Sequence, residues 1–102
     1  NQTIRVNDID HIMPKSLLGD LNFEASKINS IKNFQLIDMN TNRGAKNGSP
    51  FKEWISNHIA DKTAYLKRHL IPTDESLWEE VKFETFSEER GTLVLSKLNS
   101  YL

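Results

Sequence analysis

The sequence predicts an α+β fold in which a two-stranded antiparallel ribbon and a short helix are followed by a helical carboxy-terminal subdomain. Three observations predict it. Apolar and polar residues alternate over 4–10, and a second strand-like run follows at 34–37. A short segment with capping residues comes directly after the second run. Beyond residue 50, apolar residues recur at the spacing of helices that bury one face.

The two predicted strands are separated by an irregular segment. The first strand covers Ile4–Asp10, with Ile4, Val6 and Ile9 expected toward the core, and Pro14 ends it. Residues 15–32 show no regular period and are expected to form a long loop with some helix. Such a loop is unusual inside a compact domain unless it has a function. The second strand, at 34–37, is able to pair with the first.

Four helices complete the predicted fold. Asn40 or Thr41 can cap a short helix that ends at Lys46, and Gly48 supplies a left-handed residue that stops it. Two further helices are predicted at 51–60 and 61–70, and a long terminal helix at 83–102 is expected to be weakened around Gly91. The aromatic residues of these segments are expected in the core rather than stacked on bases: Trp54, Trp78, Phe83 and Phe86.

Size and composition indicate one globular domain. The chain of 102 residues has room for a single core, with residues 1–48 as its first part and 49–102 as a helical buttress. It has no cysteine, which excludes disulfides and thiolate metal sites. No apolar stretch approaches the roughly 20 residues that span a bilayer, and no signal sequence is visible, so we expect a cytoplasmic location. The first residue is Asn, as expected of a piece of a longer protein.

The net charge restricts the classes of partner. It is −1, so the domain is not expected to bind nucleic acid strongly by electrostatics alone. Residues 1–48 carry six Lys or Arg and five Asp or Glu, whereas residues 49–102 carry seven and nine. Residues 1–48 are therefore better suited than residues 49–102 to bind a polyanion.

One segment of the first part contains the groups that hydrolysis of a phosphodiester requires. Asp10 and Asn42 offer a carboxylate and an amide oxygen, which are hard ligands suited to Mg²⁺ or Mn²⁺. His11 is the candidate general base, because neutral imidazole can take a proton from an attacking water. Neighbouring strand residues point to opposite faces, so Asp10 and His11 share a cleft only if the strand ends or distorts there. Pro14 makes that plausible.

Other residues are candidates for supporting roles. Lys46 lies four residues after Asn42, where its ammonium could meet a phosphate oxygen, and Arg43 is a weaker candidate for the same role. Asn33 is placed to tie down the long loop by side-chain to backbone hydrogen bonds. Asp8 is either an auxiliary group behind Asp10 or an ordinary solubilising residue at a strand edge. The histidines at 58 and 69 are expected in surface or packing roles.

The combination Asp10-His11-Ile12-Met13-Pro14, a later Asn33, and Asn42-Arg43-Gly44-Ala45-Lys46 resembles the HNH, or ββα-metal, nuclease superfamily. Adjacent Asp and His, with the metal-binding Asn nine residues after the structural Asn, are similar to the HNH domain of RNA-guided CRISPR effector nucleases. The resemblance implies that Asp10 and Asn42 bind Mg²⁺, that His11 is the base and that Asn33 holds the loop. Colicin-like members close the motif with His ligands, which this sequence lacks, so zinc dependence is not expected.

The second part resembles a particular branch. Four segments are similar to the carboxy-terminal HNH domain of GmrSD-type modification-dependent restriction enzymes: 33–37, 49–51, 68–72, and Phe86 with Glu89-Arg90. That resemblance implies DNA as substrate, a role in bacterial restriction and anti-phage defence, and an amino-terminal nucleotide-using or targeting domain in the parent protein. Two alternatives remain: a catalytically inactive HNH-fold module that binds nucleic acid or protein, and a compact toxin nuclease, which would be expected to be more basic.

Overall fold

The computed structural model describes residues 7–38, Lys46 and residues 48–102. It has the α+β fold that the sequence predicts, with a two-stranded antiparallel sheet and helices around one core. The elements in chain order are β1 (Asn7–His11), α1 (Lys15–Asp20), α2 (Ala25–Ile28), β2 (Phe34–Asp38), α3 (Phe51–His58), α4 (Lys62–His69) and α5 (Phe83–Asn99). Short 3-10 turns lie at Ile31–Asn33, Glu75–Leu77 and Glu80–Lys82.

The sheet buries polar residues on one face and exposes apolar residues on the other. Asp10 pairs with Gln35 across the sheet, and both are buried. Ile9 pairs with Leu36, and these side chains are 67% and 60% exposed. The expectation that Ile9 faces the core was therefore wrong. The side chain of Asp10 points toward the core, and strand alternation puts its neighbour Ile9 on the other face of the sheet. Residues 4 and 6, which were also expected in the core, lie outside the described residues.

The segment between the strands is more helical than its sequence indicates. Two helices and a 3-10 turn occupy most of residues 15–33, where mainly loop was expected. Each helix sends one side chain fully into the core, Leu18 from α1 and Ile28 from α2. Helices of six and four residues are too short to show a hydrophobic period, which is why the pattern in the sequence did not reveal them.

The helices predicted after residue 50 are confirmed to within three residues at their ends. On α3, the buried positions are Phe51, Trp54 and Ile55, as the spacing indicated. Asp61 caps α4 by accepting a hydrogen bond from the Ala64 N–H at 3.0 Å. Gly48 has a φ of +83°, the left-handed conformation that its position predicted, whereas the helix expected to end at Lys46 falls outside the described residues.

The terminal helix α5 runs without a break through Gly91. The side chain of Lys32 lies against this glycine, and a Cβ added at residue 91 would stand 3.0 Å from the Lys32 Cε. The glycine does not interrupt the helix, and a larger residue at this position would have to displace the exposed Lys32 side chain. Only the first part of α5 contributes to the core, through Phe83 and Phe86, while Leu98 and other apolar residues near its end are exposed.

The core draws on both parts of the chain. Its buried apolar members are Ile12, Met13, Leu18, Ile28, Phe51, Trp54, Ile55, Ile71, Trp78, Phe83 and Phe86. The aromatic residues that the sequence predicted as core are therefore buried. Ile12 and Met13, directly after β1, pack in this cluster, which fixes the end of the strand to the helical part. Among the described helices, none is long and apolar enough to cross a membrane.

Truncating Phe86 should destabilise the domain strongly. Phe86 is fully buried and its ring centroid lies 5.8 Å from that of Phe51, so Phe86→Ala should lower the free energy of unfolding by about 3–5 kcal/mol. Leu95→Ala, on the same helix at a position 59% exposed, is the matched control and should change it by less than about 0.5 kcal/mol. Urea denaturation followed by tryptophan fluorescence measures both, and equal losses would contradict this description of α5.

Candidate active site

Asn33 holds the chain just after β1. Its side chain is fully buried, and its Oδ1 accepts a hydrogen bond from the Met13 N–H at 2.9 Å. Its Nδ2 donates to the carbonyl oxygens of Met13, at 3.1 Å, and Ile28, at 3.2 Å. The Ile12 N–H also donates to the Asn33 carbonyl oxygen at 2.8 Å. These bonds close the segment between the strands, which is the loop-holding position that the sequence suggested for this residue.

Lys46 is a buried cation beneath the end of β1. Only 1% of its surface is exposed, and its Nζ donates to the carbonyl oxygens of His11, at 2.8 Å, and Ile12, at 3.0 Å. The same Nζ lies 3.0 Å from Oδ2 of Asp10. Burial lowers the pKa of Lys46, and the charge of Asp10 opposes that shift.

The structure therefore gives Lys46 a different position from the phosphate contact expected of it. An ammonium group has three N–H donors, and here three oxygens lie within hydrogen-bonding distance of Nζ. The phosphate contact was predicted from the spacing between Lys46 and Asn42. That spacing gives no sign of the carbonyl oxygens to which Lys46 donates. Arg43, the other candidate for phosphate binding, lies outside the described residues, and so does Asn42.

Asp10 is held from the core side by two donors on the same oxygen. Oδ2 accepts from the Nε2 of Gln35, at 2.9 Å, and pairs with Lys46. About nine-tenths of the side chain is buried, with 9% accessible, and no donor among the described residues lies on Oδ1. Gln35 in turn accepts a hydrogen bond at Oε1 from the hydroxyl of Tyr65. Asp10 is thus the end of a buried polar chain that begins on α4.

The sequence reasoning did not find Gln35 or Tyr65. Aligning the two strands in register would have placed Gln35 opposite Asp10, since a polar residue in a short apolar strand is a visible signal. For Tyr65 there was no comparable signal, because it lies 30 residues further along the chain and reaches Gln35 only through the packing of α4. Burial raises the pKa of Tyr65, so its hydroxyl is held in the protonated, donating form.

His11 lies at the end of β1 on the face opposite to Asp10. Its register partner is Phe34, and the two rings meet edge to face with centroids 5.1 Å apart. The Nε2 of His11 lies 2.8 Å from Oδ1 of Asn29. β1 remains paired as far as His11, so strand alternation puts the side chains of Asp10 and His11 on opposite faces. No hydrogen bond or ion pair joins these two described residues. Asp8 precedes Asp10 by two positions and so lies on the Asp10 face of the strand.

The described residues offer one hard ligand for a divalent cation. Oδ1 of Asp10 is a carboxylate oxygen on a side chain that retains a small accessible surface, which suits Mg²⁺ or Mn²⁺. Among these residues, no group of three His, Cys, Asp or Glu is arranged to hold a metal ion. Asp10 by itself thus offers one oxygen to a hydrated divalent ion, and the nearby charge of Lys46 opposes tight binding of a cation.

Comparison with known proteins identifies no relative of this chain. No family model matches it, and neither a curated protein nor a solved structure matches it.

The Asn33 amide should be necessary for stability. Asn33→Asp keeps an acceptor for the Met13 N–H but removes both Nδ2 donors and buries a charge. The free energy of unfolding should fall by about 2–4 kcal/mol at pH 7, because two buried carbonyl oxygens lose their donors. Asn57→Asp on the exposed face of α3 is the control, and chemical denaturation provides the measurement. A loss no greater than that of the control would show that Asn33 does not hold the loop.

His69 should make the domain less stable in mild acid. Its ring lies 4.4 Å from that of Tyr65, and burial lowers its pKa, with the charges of Arg68 and Arg90 acting in the same direction. The unfolded chain then binds a proton more readily, so stability falls as pH drops through about 6.5 toward the folded pKa. His69→Gln should reduce the loss of melting temperature between pH 7 and pH 5, whereas exposed His58→Gln should leave it unchanged. Equal pH dependence in all three proteins would contradict this.

Proposed function

We propose that this chain is the catalytic domain of an HNH-type endonuclease that uses Mg²⁺ or Mn²⁺ to hydrolyse phosphodiester bonds of DNA. The observation that carries the proposal is the spacing of Asp10, His11, Asn33 and Asn42, together with the hydrogen bonds of Asn33 to Met13 and Ile28. An antiparallel pair of strands joined by an Asn-held segment is compatible with the ββα arrangement of that superfamily.

His11 is the base in this proposal. In this proposal Nε2 donates to the Asn29 amide oxygen 2.8 Å away, which leaves the free electron pair on Nδ1. Nδ1 takes a proton from the attacking water, the water oxygen forms the new bond to phosphorus, and the bond to the leaving 3′ oxygen breaks. The leaving oxygen takes a proton from solvent. Asn29 orients the ring for this step in the way that a carboxylate or amide orients many catalytic histidines.

Asp10 and Asn42 would hold the metal ion. When bound, it supplies positive charge that polarises the scissile phosphate and stabilises the leaving oxygen. Asp10 contributes through Oδ1, since Oδ2 is occupied by Gln35 and Lys46. Lys46 stabilises the carboxylate and the strand end from behind, and Arg43 remains the candidate for contact with phosphate.

The second candidate is an inactive module of the same fold that binds nucleic acid or another protein. A specific observation favours it: Asp10 is already paired with Lys46, and it lies on the opposite face of β1 from His11. A carboxylate whose charge is balanced by an internal cation needs no metal ion for stability. Metal-dependent cleavage distinguishes the two candidates.

The proposed setting follows from charge. A domain of net charge −1 gains little from phosphate electrostatics, so another part of a longer protein would bring it to DNA. By resemblance to GmrSD-type enzymes, that part is an amino-terminal nucleotide-using or targeting domain of a cytoplasmic bacterial restriction system acting against phage.

Cleavage of supercoiled plasmid tests the proposal. With Mg²⁺ or Mn²⁺ the wild type should nick or linearise the plasmid, and EDTA should abolish the reaction. His11→Ala should lower the rate by about 10²- to 10⁴-fold, because it removes the general base. His58→Ala, at the exposed end of α3, is the matched control and should cleave at the wild-type rate. Full activity of His11→Ala would exclude His11 as the base, and an inactive wild type in every metal would favour the binding module.

A further inference from the structure

Three side chains in a row connect α4 to β1 inside the domain. The Tyr65 hydroxyl donates to Oε1 of Gln35, and Nε2 of Gln35 donates to Oδ2 of Asp10 at 2.9 Å. Gln35 is 5% exposed, and it lies directly across the sheet from Asp10. An apolar side chain at position 35 could fill this buried strand position, but it would leave the Tyr65 hydroxyl without its acceptor and Asp10 without one of its two partners.

The carboxylate of Asp10 determines how the Gln35 amide is oriented. An amide has a donating end and an accepting end, and either can be turned toward a neighbour. Carboxylate oxygens only accept, so Asp10 requires the Nε2 end. The Tyr65 hydroxyl keeps its proton and can donate to the Oε1 end. Asp10 therefore sets the orientation, because a turned amide would bring two acceptors together there, and the Tyr65 hydroxyl then donates to the Oε1 end.

The carboxylate of Asp10 is fixed as a consequence. Oδ2 receives two donors, from Gln35 and from Lys46, which approach from different parts of the chain. Rotation of the carboxylate would break at least one of these contacts, so Oδ1, which accepts no hydrogen bond from a described residue, keeps its position. A single donor would not give this result, since Lys46 alone could pair with either oxygen as the group turned.

We propose that Gln35 and Tyr65 are positioning residues that keep Oδ1 of Asp10 available for the metal ion; this rests on the proposed nuclease function. Gln35 acts directly on Asp10, and Tyr65 acts through Gln35. Loss of either lets the carboxylate turn both oxygens toward the ammonium of Lys46, which competes with the metal ion. Partners behind a metal ligand typically change metal affinity by about 10- to 100-fold when they are removed.

Binding of Mn²⁺ to the full chain, followed by the electron paramagnetic resonance signal of the free ion, tests the proposal without using activity. Gln35→Met keeps length and volume but removes both hydrogen bonds, and it should weaken Mn²⁺ binding by about 10-fold or more. Tyr65→Phe removes only the hydroxyl and should weaken binding by a smaller factor. Tyr101→Phe, at a residue 74% exposed on the far end of the chain, is the matched control and should bind as the wild type does.

A purely structural role predicts a different result. Thermal unfolding would then shift in Gln35→Met and Tyr65→Phe while Mn²⁺ affinity, measured well below the transition, stayed at the wild-type value; that outcome overturns the proposal. Tyr65→Phe keeps the ring against Trp54 and His69, so it should fold and decide the matter even if Gln35→Met does not. In plasmid cleavage, the metal concentration for half-maximal rate should rise in both variants, with the rate at saturating metal nearly unchanged.

Failure of the proposed function looks different from failure of the positioning role. A wild type that neither binds Mn²⁺ nor cleaves DNA overturns both proposals. A wild type that binds and cleaves, with both variants equal to it in Mn²⁺ affinity, overturns the positioning role alone and leaves the nuclease intact.

Discussion

The buried ammonium of Lys46 is the interaction on which the rest of the site depends. It joins the carbonyl oxygens of His11 and Ile12 to the carboxylate of Asp10, under the ring of Trp54. Burying a charge costs several kcal/mol unless partners offset it, and here one carboxylate and two carbonyl oxygens do so. Removal of either charge would leave the other buried and unpaired, which typically costs about 3–5 kcal/mol. Lys46 therefore fixes the end of β1 in a way that no apolar residue could.

Side chains satisfy the backbone carbonyl oxygens at the end of β1 and just beyond it. The carbonyl oxygens of His11, Ile12 and Met13 are consecutive, and each accepts from a buried side chain: the first two from Lys46 and the third from Asn33. Buried carbonyl oxygens need such partners, and a chain that leaves a two-stranded sheet no longer has the regular hydrogen bonds between the strands. These bonds hold the backbone on both sides of the His11 carbonyl group, while the His11 ring lies on the face of β1 opposite to Asp10. This combination suits a residue whose orientation matters for chemistry.

The sequence allowed the helices after residue 50 to be predicted because each buries a periodic face. The sequence did not allow α1 and α2 to be predicted. Each buries only one side chain, and the helix propensity of so few residues carries little information. Asn33 was identifiable because an Asn before a strand has few roles other than bonding to backbone. Lys46, Gln35 and Tyr65 acquire their roles from contacts between residues at least 25 positions apart. Such contacts follow from the packing of the whole domain and have no local signature.

A crystal of this domain soaked in Mn²⁺, with diffraction measured near the manganese absorption edge, would show whether Asp10 binds the metal ion. We expect an anomalous peak about 2.0–2.3 Å from Oδ1 of Asp10, with Lys46 still paired to Oδ2. A second ligand from the Asn42 amide oxygen is expected at the same ion. A map without a peak at Asp10 at millimolar Mn²⁺, or a peak held by other residues, would contradict the assignment of Asp10 as a metal ligand and favour a module that binds without cutting.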